Sequence, residues 1–147
     1  LRNHRLLELF LVRALGMDWG DVHDEAERLE HAVSERLVQR IDEFLGYPEV
    51  DPHGDPIPRF DGTFPASPGI SLFASVPESV FVIRRVLDQS TNVLRFLAGV
   101  SIQIGRCGKV VENSPDAETV SIAIDGNVVT LSRAVAAKVL VSIERSL

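Results

Sequence analysis

Val22-His-Asp-Glu-Ala-Glu-Arg-Leu-Glu-His-Ala-Val-Ser-Glu-Arg-Leu37 places two histidines and five carboxylates within sixteen residues. Its apolar residues Val22, Ala26, Leu29 and Val33 recur at helical spacing, and Asp18 ahead of it is the expected N-cap, with Asp21 in the first turn. The spacing sets His23, Glu27, Glu30 and His31 at i, i+4, i+7 and i+8, on one helix face. Like charges three and four residues apart repel. The face therefore suits either full solvation, with Arg28, Arg36 and Arg40 as ion-pair partners, or a bound cation.

The neighbouring sequence is also helical in period. Leu6, Leu7, Phe10, Leu11 and Leu15 form a stripe that ends at Gly16, and His4 and Glu8 stand four apart on the same segment. Ser34 is the expected cap of a third helix through Leu37, Val38, Ile41 and Leu45, stopped by Gly46. If the first two helices pack antiparallel, His4 and Glu8 converge on His23, Glu27, Glu30 and His31. Imidazole with carboxylate suits a borderline-to-hard divalent ion such as Mn²⁺, Fe²⁺ or Zn²⁺. Three helices either form a self-sufficient unit or have one apolar face completed by another subunit.

After Val50 the composition changes. The stretch DPHGDPIPRFDGTFPASPG is rich in Pro, Gly and Asp and reads as a stiff linker between a helical module, residues 1–62, and a second module, residues 63–147. The first carries seven Arg and no Lys against fourteen acids, net −7; the second carries eight basic and seven acidic residues, net +1. All four histidines lie in the first module. In the second, Ser71 to Val76 and Phe81 to Val86 are β-like, and Val120 to Ile124 with Val128 to Leu131 forms a hairpin around Asp125-Gly126-Asn127. Asn92 to Ala98 and a segment capped by Ser132, through Ala136 to Leu140, are expected to be short helices, the second followed by a last strand. Gly99, Gly105 and Gly108 are expected at turns. Overall this is an α+β chain ending in a small barrel.

Several classes are disfavoured. No apolar run reaches membrane-spanning length and no signal peptide opens the chain. A single cysteine, Cys107, excludes an intramolecular disulfide and fits a reducing cytoplasm. Net charge −6 argues against this piece gripping nucleic acid alone. HExxH, GxxxxGK[ST] and GxGxxG are absent, Cys107 has no histidine in its module, and no enzyme activity is expected. The opening LRNHRLLELFLVRAL reads as the middle of a helix, so a fragment of a longer protein is expected.

HRLLELFL, VHDEAERLEHAVSERL and DPHGDPIP, in this order, resemble the DtxR/MntR family of metal-dependent transcriptional repressors, of the manganese-type branch. The resemblance implies a winged-helix domain that contacts operator DNA and is missing here, a helical metal-binding and dimerisation domain, and a ferrous-transport-A-like barrel of the Src-homology type. It carries metal-ligand roles to His4, Glu8, His23, Glu27, Glu30 and His31, with the remaining ligands of the main site expected from the missing domain. Glu27 stands where iron-type members have cysteine, and a carboxylate hardens the site. DPHGDPIP resembles the family loop CPHGNPIP, which implies a second site of Asp51, His53, Glu8 and, from the barrel, Asp88; otherwise the loop is a rigid linker whose His53 caps a turn. The implied cofactor is Mn²⁺ or Fe²⁺, with Zn²⁺, Co²⁺ or Ni²⁺ able to substitute in vitro. The implied assembly is a cytoplasmic homodimer, with no membrane partner, in which metal gates the arrangement of DNA-binding heads. The competing reading is a dimeric metal-responsive scaffold whose barrel docks a protein or peptide without DNA binding.

Overall fold

The computed structural model describes residues 1–66 and 69–144 of the chain. Two compact units, Leu1–Ser67 and Pro68–Leu147, divide it. Ser67 and Pro68, at the end of the Pro-rich stretch, lie outside the described residues.

The first unit contains three helices, α1 (Arg2–Leu15), α2 (Val22–Glu30) and α3 (Glu35–Phe44). The stripe of α1 buries Leu6, Leu7, Leu9 and Leu11 against Val22 and Ala26 of α2, Val38 and Ile41 of α3, and Leu45 and Ile57 beyond them. Gly16 ends α1 at φ 69°, its N–H donating to the Val12 carbonyl while Met17 N–H donates to that of Leu11. A residue with a Cβ is strained in that conformation. Ser34 Oγ accepts the Leu37 N–H at 3.1 Å and starts α3, as its position suggests.

Two helix boundaries differ from expectation. Asp18 does not cap α2: its carboxylate accepts the Gly20 N–H at 2.7 Å, which closes a turn through Trp19, and Asp21 becomes the N-cap. At the other end α2 stops at Glu30, so Val33 lies in the turn to α3 with its N–H on the Leu29 carbonyl. A larger difference concerns DPHGDPIP. It is a folded part of the first unit, with Asp51, His53, Asp55 and Ile57 buried and a bridge between Val50 and Pro56.

In the second unit one antiparallel sheet has the order β1-β6-β2-β3-β4-β5. Its strands are β1 (Ile70–Ser71), β2 (Val80–Val86), β3 (Cys107–Ser114), β4 (Thr119–Ile124), β5 (Asn127–Ser132) and β6 (Val139–Glu144). Helix α4 (Thr91–Gly99) connects β2 to β3, and α5 (Arg133–Ala136) connects β5 to β6. Phe81, Ile83, Leu94, Leu97, Ile102, Val120, Ile122, Leu131 and Val141 form the core. The barrel description is approximate, because β1 and β5 are edges rather than partners.

The Asp125-Gly126 hairpin is present, with φ of 52° and 80° at the two turn residues, the type I′ signature. The segment from Ser71 is mostly not a strand: Ser71 Oγ accepts the Ala74 N–H and winds Leu72–Ala74 into a 3-10 turn. Ser132 caps α5, but the helix ends at Ala136 because Val139 and Leu140 pair with β2. Gly108 is not at a turn but inside β3, opposite Phe81. A Cβ there would lie 2.6 Å from Phe81 Cζ and 2.9 Å from both the Ala123 carbonyl oxygen and Ile124 Cγ1. Gly108→Ala is therefore expected to cost about 1–3 kcal/mol in denaturant unfolding. Gly99→Ala, with nothing within 4 Å of the new methyl, should be near neutral.

Candidate metal centre

Helix α1 brings the first titratable pair together. His4 and Glu8, one turn apart, place Nε2 and Oε1 3.3 Å from each other. Antiparallel packing against α2 sets His23 Nδ1 3.1 Å from His4 Nε2, and Glu27 and Glu30 Oε2 at 3.2 and 3.3 Å from His4 Nδ1. His4 thus stands between two groups of donors, His4–Glu8–His23 and His4–Glu27–Glu30, each able to offer one ligand atom per residue within 4.8 Å.

A third group is Glu8–Asp51–His53, and all three of its residues are buried. The loop builds it from its own backbone. Asp51 Oδ1 accepts the N–H groups of His53 and Asp55 at 2.8 and 2.9 Å, leaving Oδ2 free. His53 Nε2 lies 2.7 Å from the Trp19 carbonyl, which can only accept, so Nε2 carries the proton. Nδ1 is then an unprotonated donor facing Glu8 Oε2 at 3.8 Å and Asp51 Oδ1 at 4.0 Å. The Trp19 ring stacks on the imidazole at 5.7 Å between centroids and 23° between planes. Arg5 donates to the Pro56 carbonyl and ties the loop to α1.

Electrostatics follow from this burial. Glu8 is 3% exposed, and its carboxyl is pushed up to about 8 by desolvation, then by Asp51 and Asp55, with Arg5 opposing. Asp51 rises to about 7 by desolvation and by Asp55, against the hydrogen bonds from the His53 and Asp55 N–H groups. Burial lowers both His4 and His53, and in His4 the repulsion of His23 adds to it. His4 Nδ1, Glu8 Oε2, Asp51 Oδ2 and His53 Nδ1 are buried without a hydrogen-bond partner. Such atoms carry a desolvation penalty unless something satisfies them. Their chemistry, lone pairs on imidazole nitrogen and carboxylate oxygen, fits a divalent cation.

Two expected ligands belong to none of these groups. His31, exposed at the C-cap of α2, lies outside all three groups. Asp88 follows β2 in the second unit, where it accepts the Ser90 N–H at 3.1 Å and faces Lys138 Nζ at 3.9 Å; the Ser90 hydrogen bonds hold its carboxyl below the usual range. Sequence reading missed Trp19, Arg5 and Asp55. Nothing in their spacing signals a role, since each acts through the folded loop.

Buried imidazole–carboxylate groups in a three-helix unit, followed by a small antiparallel α+β unit, define a metal-site domain joined to a sheet domain. Residues 1–59 match the iron dependent repressor metal binding and dimerisation domain, and residues 75–143 match the FeoA domain. The iron-dependent repressor IdeR of Mycobacterium tuberculosis is 45% identical over 58 residues, 40% of this chain and 25% of that protein. The diphtheria toxin repressor of Corynebacterium jeikeium is 35% identical over 112 residues, 76% of this chain and 46% of that protein. A solved structure described as a manganese-dependent transcriptional repressor is 43% identical, with TM-score 0.91, covering 97% of this chain and 78% of that one. The chain belongs to the DtxR/MntR family of metal-dependent transcriptional repressors. It spans a quarter of the length of IdeR and under half that of the C. jeikeium protein.

The raised carboxyls give a testable pH dependence of the metal-free protein. With folded values above unfolded ones, the fold holds more protons than the unfolded chain between about 4.5 and 8 for Glu8, and between about 3.8 and 7 for Asp51. Stability from these groups therefore falls as pH rises through those windows. The lowered histidines act oppositely, and only below about 6.5. In chelator, the melting temperature of the first unit should drop from pH 6.5 to pH 8, and Glu8→Gln should flatten the drop.

Proposed function

We infer that this chain is the metal-sensing and dimerisation part of a Mn²⁺- or Fe²⁺-dependent transcriptional repressor that controls metal homeostasis. One observation carries the reading: four buried nitrogen and oxygen atoms without partners converge on α1 from α1 itself and from the DPHGDPIP loop. His4 would hold one cation, either through Nε2 with Glu8 and His23 or through Nδ1 with Glu27 and Glu30, and Glu8, Asp51 and His53 would hold another. His31 and Asp88 would contribute only with groups from beyond their present neighbours. A bound divalent ion supplies positive charge that cancels the carboxylate repulsion. The protein's own residues do the rest: Trp19 and Asp51 fix the His53 ring and the loop, and Arg5 anchors that loop to α1.

Family relatives support the cation classes, since solved members are described as manganese-dependent, in complex with manganese, or with bound Zn²⁺. A homodimer is supported by the matched domain's description and by half-buried Phe10, Val12, Met17, Leu29 and Val33 beside exposed Leu15, Leu37 and Phe44. Division into a helical part, 1–62, and a FeoA-like part, 63–147, follows the same reading. Operator contact would be made by a winged-helix domain of the kind that the family resemblance implies, so this chain by itself should give no metal-dependent gel shift. Among the described residues no helix is long and apolar enough to cross a membrane, and a cytoplasmic location fits a DNA-directed role. No catalytic step enters the reading.

The test is a Mn²⁺ titration followed by thermal unfolding. A cation that binds only the folded state should stabilise it by about 2.7 kcal/mol at a hundredfold excess over Kd. Glu8→Gln should lose most of that gain although it raises metal-free stability at pH 8. Glu30→Gln with His31→Ala should also lose most of it, and exposed Glu112→Gln should keep it. Full retention in both the Glu8 variant and the double variant overturns the reading. Below about pH 6 the gain should fade as the imidazoles protonate.

A further inference from the structure

The two edges of the sheet are built differently. On one side β1 is only two residues long, which offers little to an incoming strand. On the other, β5 runs six residues, Asn-Val-Val-Thr-Leu-Ser, without a charge, a proline or a register shift against β4. The β2–β6 and β3–β4 ladders both contain bulges, so regularity at the open edge is not a general property of this sheet. Long, flat, uncharged edges are templates for strand addition, and proteins generally blunt or cover them.

Geometry fixes which groups this edge presents. Ile124 and Asn127 close the two-residue type I′ turn, so their pair is hydrogen-bonded, as are Ile122–Val129 and Val120–Leu131 two and four residues further along. The N–H and C=O groups of Val128 and Thr130 therefore point away from β4. Val128 is 63% exposed, and Thr130 is exposed on the same face.

We propose that β5 is a second self-association surface, on which the β5 of another copy of this chain adds antiparallel. Charge selects that occupant and that direction. Asp125 lies at one end of the strand and Arg133 at the other, each 59% exposed in its side chain. Antiparallel addition sets the acidic end of one strand beside the basic end of its neighbour, whereas parallel addition sets like beside like. The ion pairs Arg106–Asp125, 2.8 Å, and Arg133–Glu118, 3.5 Å, then extend into an alternating network without being broken. Dimerisation through the first unit, on the reading above, raises the local concentration of tethered second units, so a short edge contact suffices.

The test is residue-resolved amide exchange on the full chain at millimolar concentration, with filtered NOEs between labelled and unlabelled copies. The Val128 and Thr130 amides should exchange at least roughly tenfold more slowly than in Val128→Lys, with cross-copy NOEs along β5. In Val128→Lys the Val129 amide should stay protected, which shows that the hairpin remains folded. If Val128→Lys disrupts the hairpin, Thr130→Pro serves instead, because Thr130 N–H makes no bond to β4. Freely exchanging Val128 and Thr130 amides in the unmodified chain overturn the proposal. So does protection that persists in a folded Val128→Lys variant, or an absence of cross-copy NOEs. Full retention of the metal response in both Glu8→Gln and the Glu30→Gln, His31→Ala variant, with intact β5 protection, would sink the metal reading alone.

Discussion

Glu8 is a carboxylate placed where water does not reach, one turn after a histidine on the helix that forms the centre of the first unit. An ionised carboxylate in that position carries a desolvation cost that must be met by a proton, a positive partner or a metal. The packing closes off easier solutions. Leu6, Leu7, Leu9 and Leu11 commit the adjoining faces of α1 to the core, so Glu8 cannot swing outward without unpacking it. The nearest fixed cation, Arg5, is engaged with the Pro56 carbonyl and offsets only part of the repulsion from Asp51 and Asp55. What surrounds Glu8 is therefore organised by one unresolved charge.

That constraint joins sites that look separate in sequence. Oε1 of Glu8 faces His4, and Oε2 faces His53. A positive charge held by either histidine group acts on the same carboxylate, and a proton on Glu8 weakens both groups as ligand sets. Proton and cation would compete for one group, which is why bound metal should remove the fall in stability that the metal-free protein shows as pH rises towards 8. Trp19 adds a mechanical link. Its carbonyl holds His53 while its backbone lies in the turn that leads into α2, so the loop ligand and the helix that carries His23, Glu27 and Glu30 share a support.

Much of this was legible because it rests on local rules. Helical stripes, the Gly16 stop, the Ser34 cap and the Asp125-Gly126 turn are each set by a few adjacent residues, and the i, i+4 spacing of His4 and Glu8 puts them on one face whatever else happens. The unread parts depend on tertiary structure. Strand β3 was missed because Gly108 lacks a side chain for the pattern and the bulge between Val110 and Glu112 breaks alternation. DPHGDPIP looked like a linker because Pro, Asp and Gly normally belong to solvent; only the fold reveals that Asp51 spends one oxygen on two backbone amides and that His53 lies under Trp19. The end of α2 before His31 could not be read either: the Leu29 carbonyl takes both the Ala32 and the Val33 amides, a shared acceptance at the turn into α3 that no residue pattern announces.

Donor chemistry sets what kind of selectivity such groups can have. Glu8, Asp51 and His53 offer two carboxylates and one imidazole, and His4, Glu27 and Glu30 offer the same set, with no thiolate in either. Intrinsic affinity for divalent ions rises from Mn²⁺ through Fe²⁺ towards the later transition metals with nearly any nitrogen–oxygen site, so neither group can prefer Mn²⁺ by tightness alone. Removing sulfur still matters, because thiolate adds most to the soft end of that series and least to Mn²⁺. Carboxylates at positions 27 and 51 therefore narrow the gap between Mn²⁺ and its competitors without reversing it. The remaining discrimination has to come from coordination number and from which metal is available. A buried site whose orphaned donors are already oriented can accept extra oxygen ligands that a small tetrahedral ion does not need.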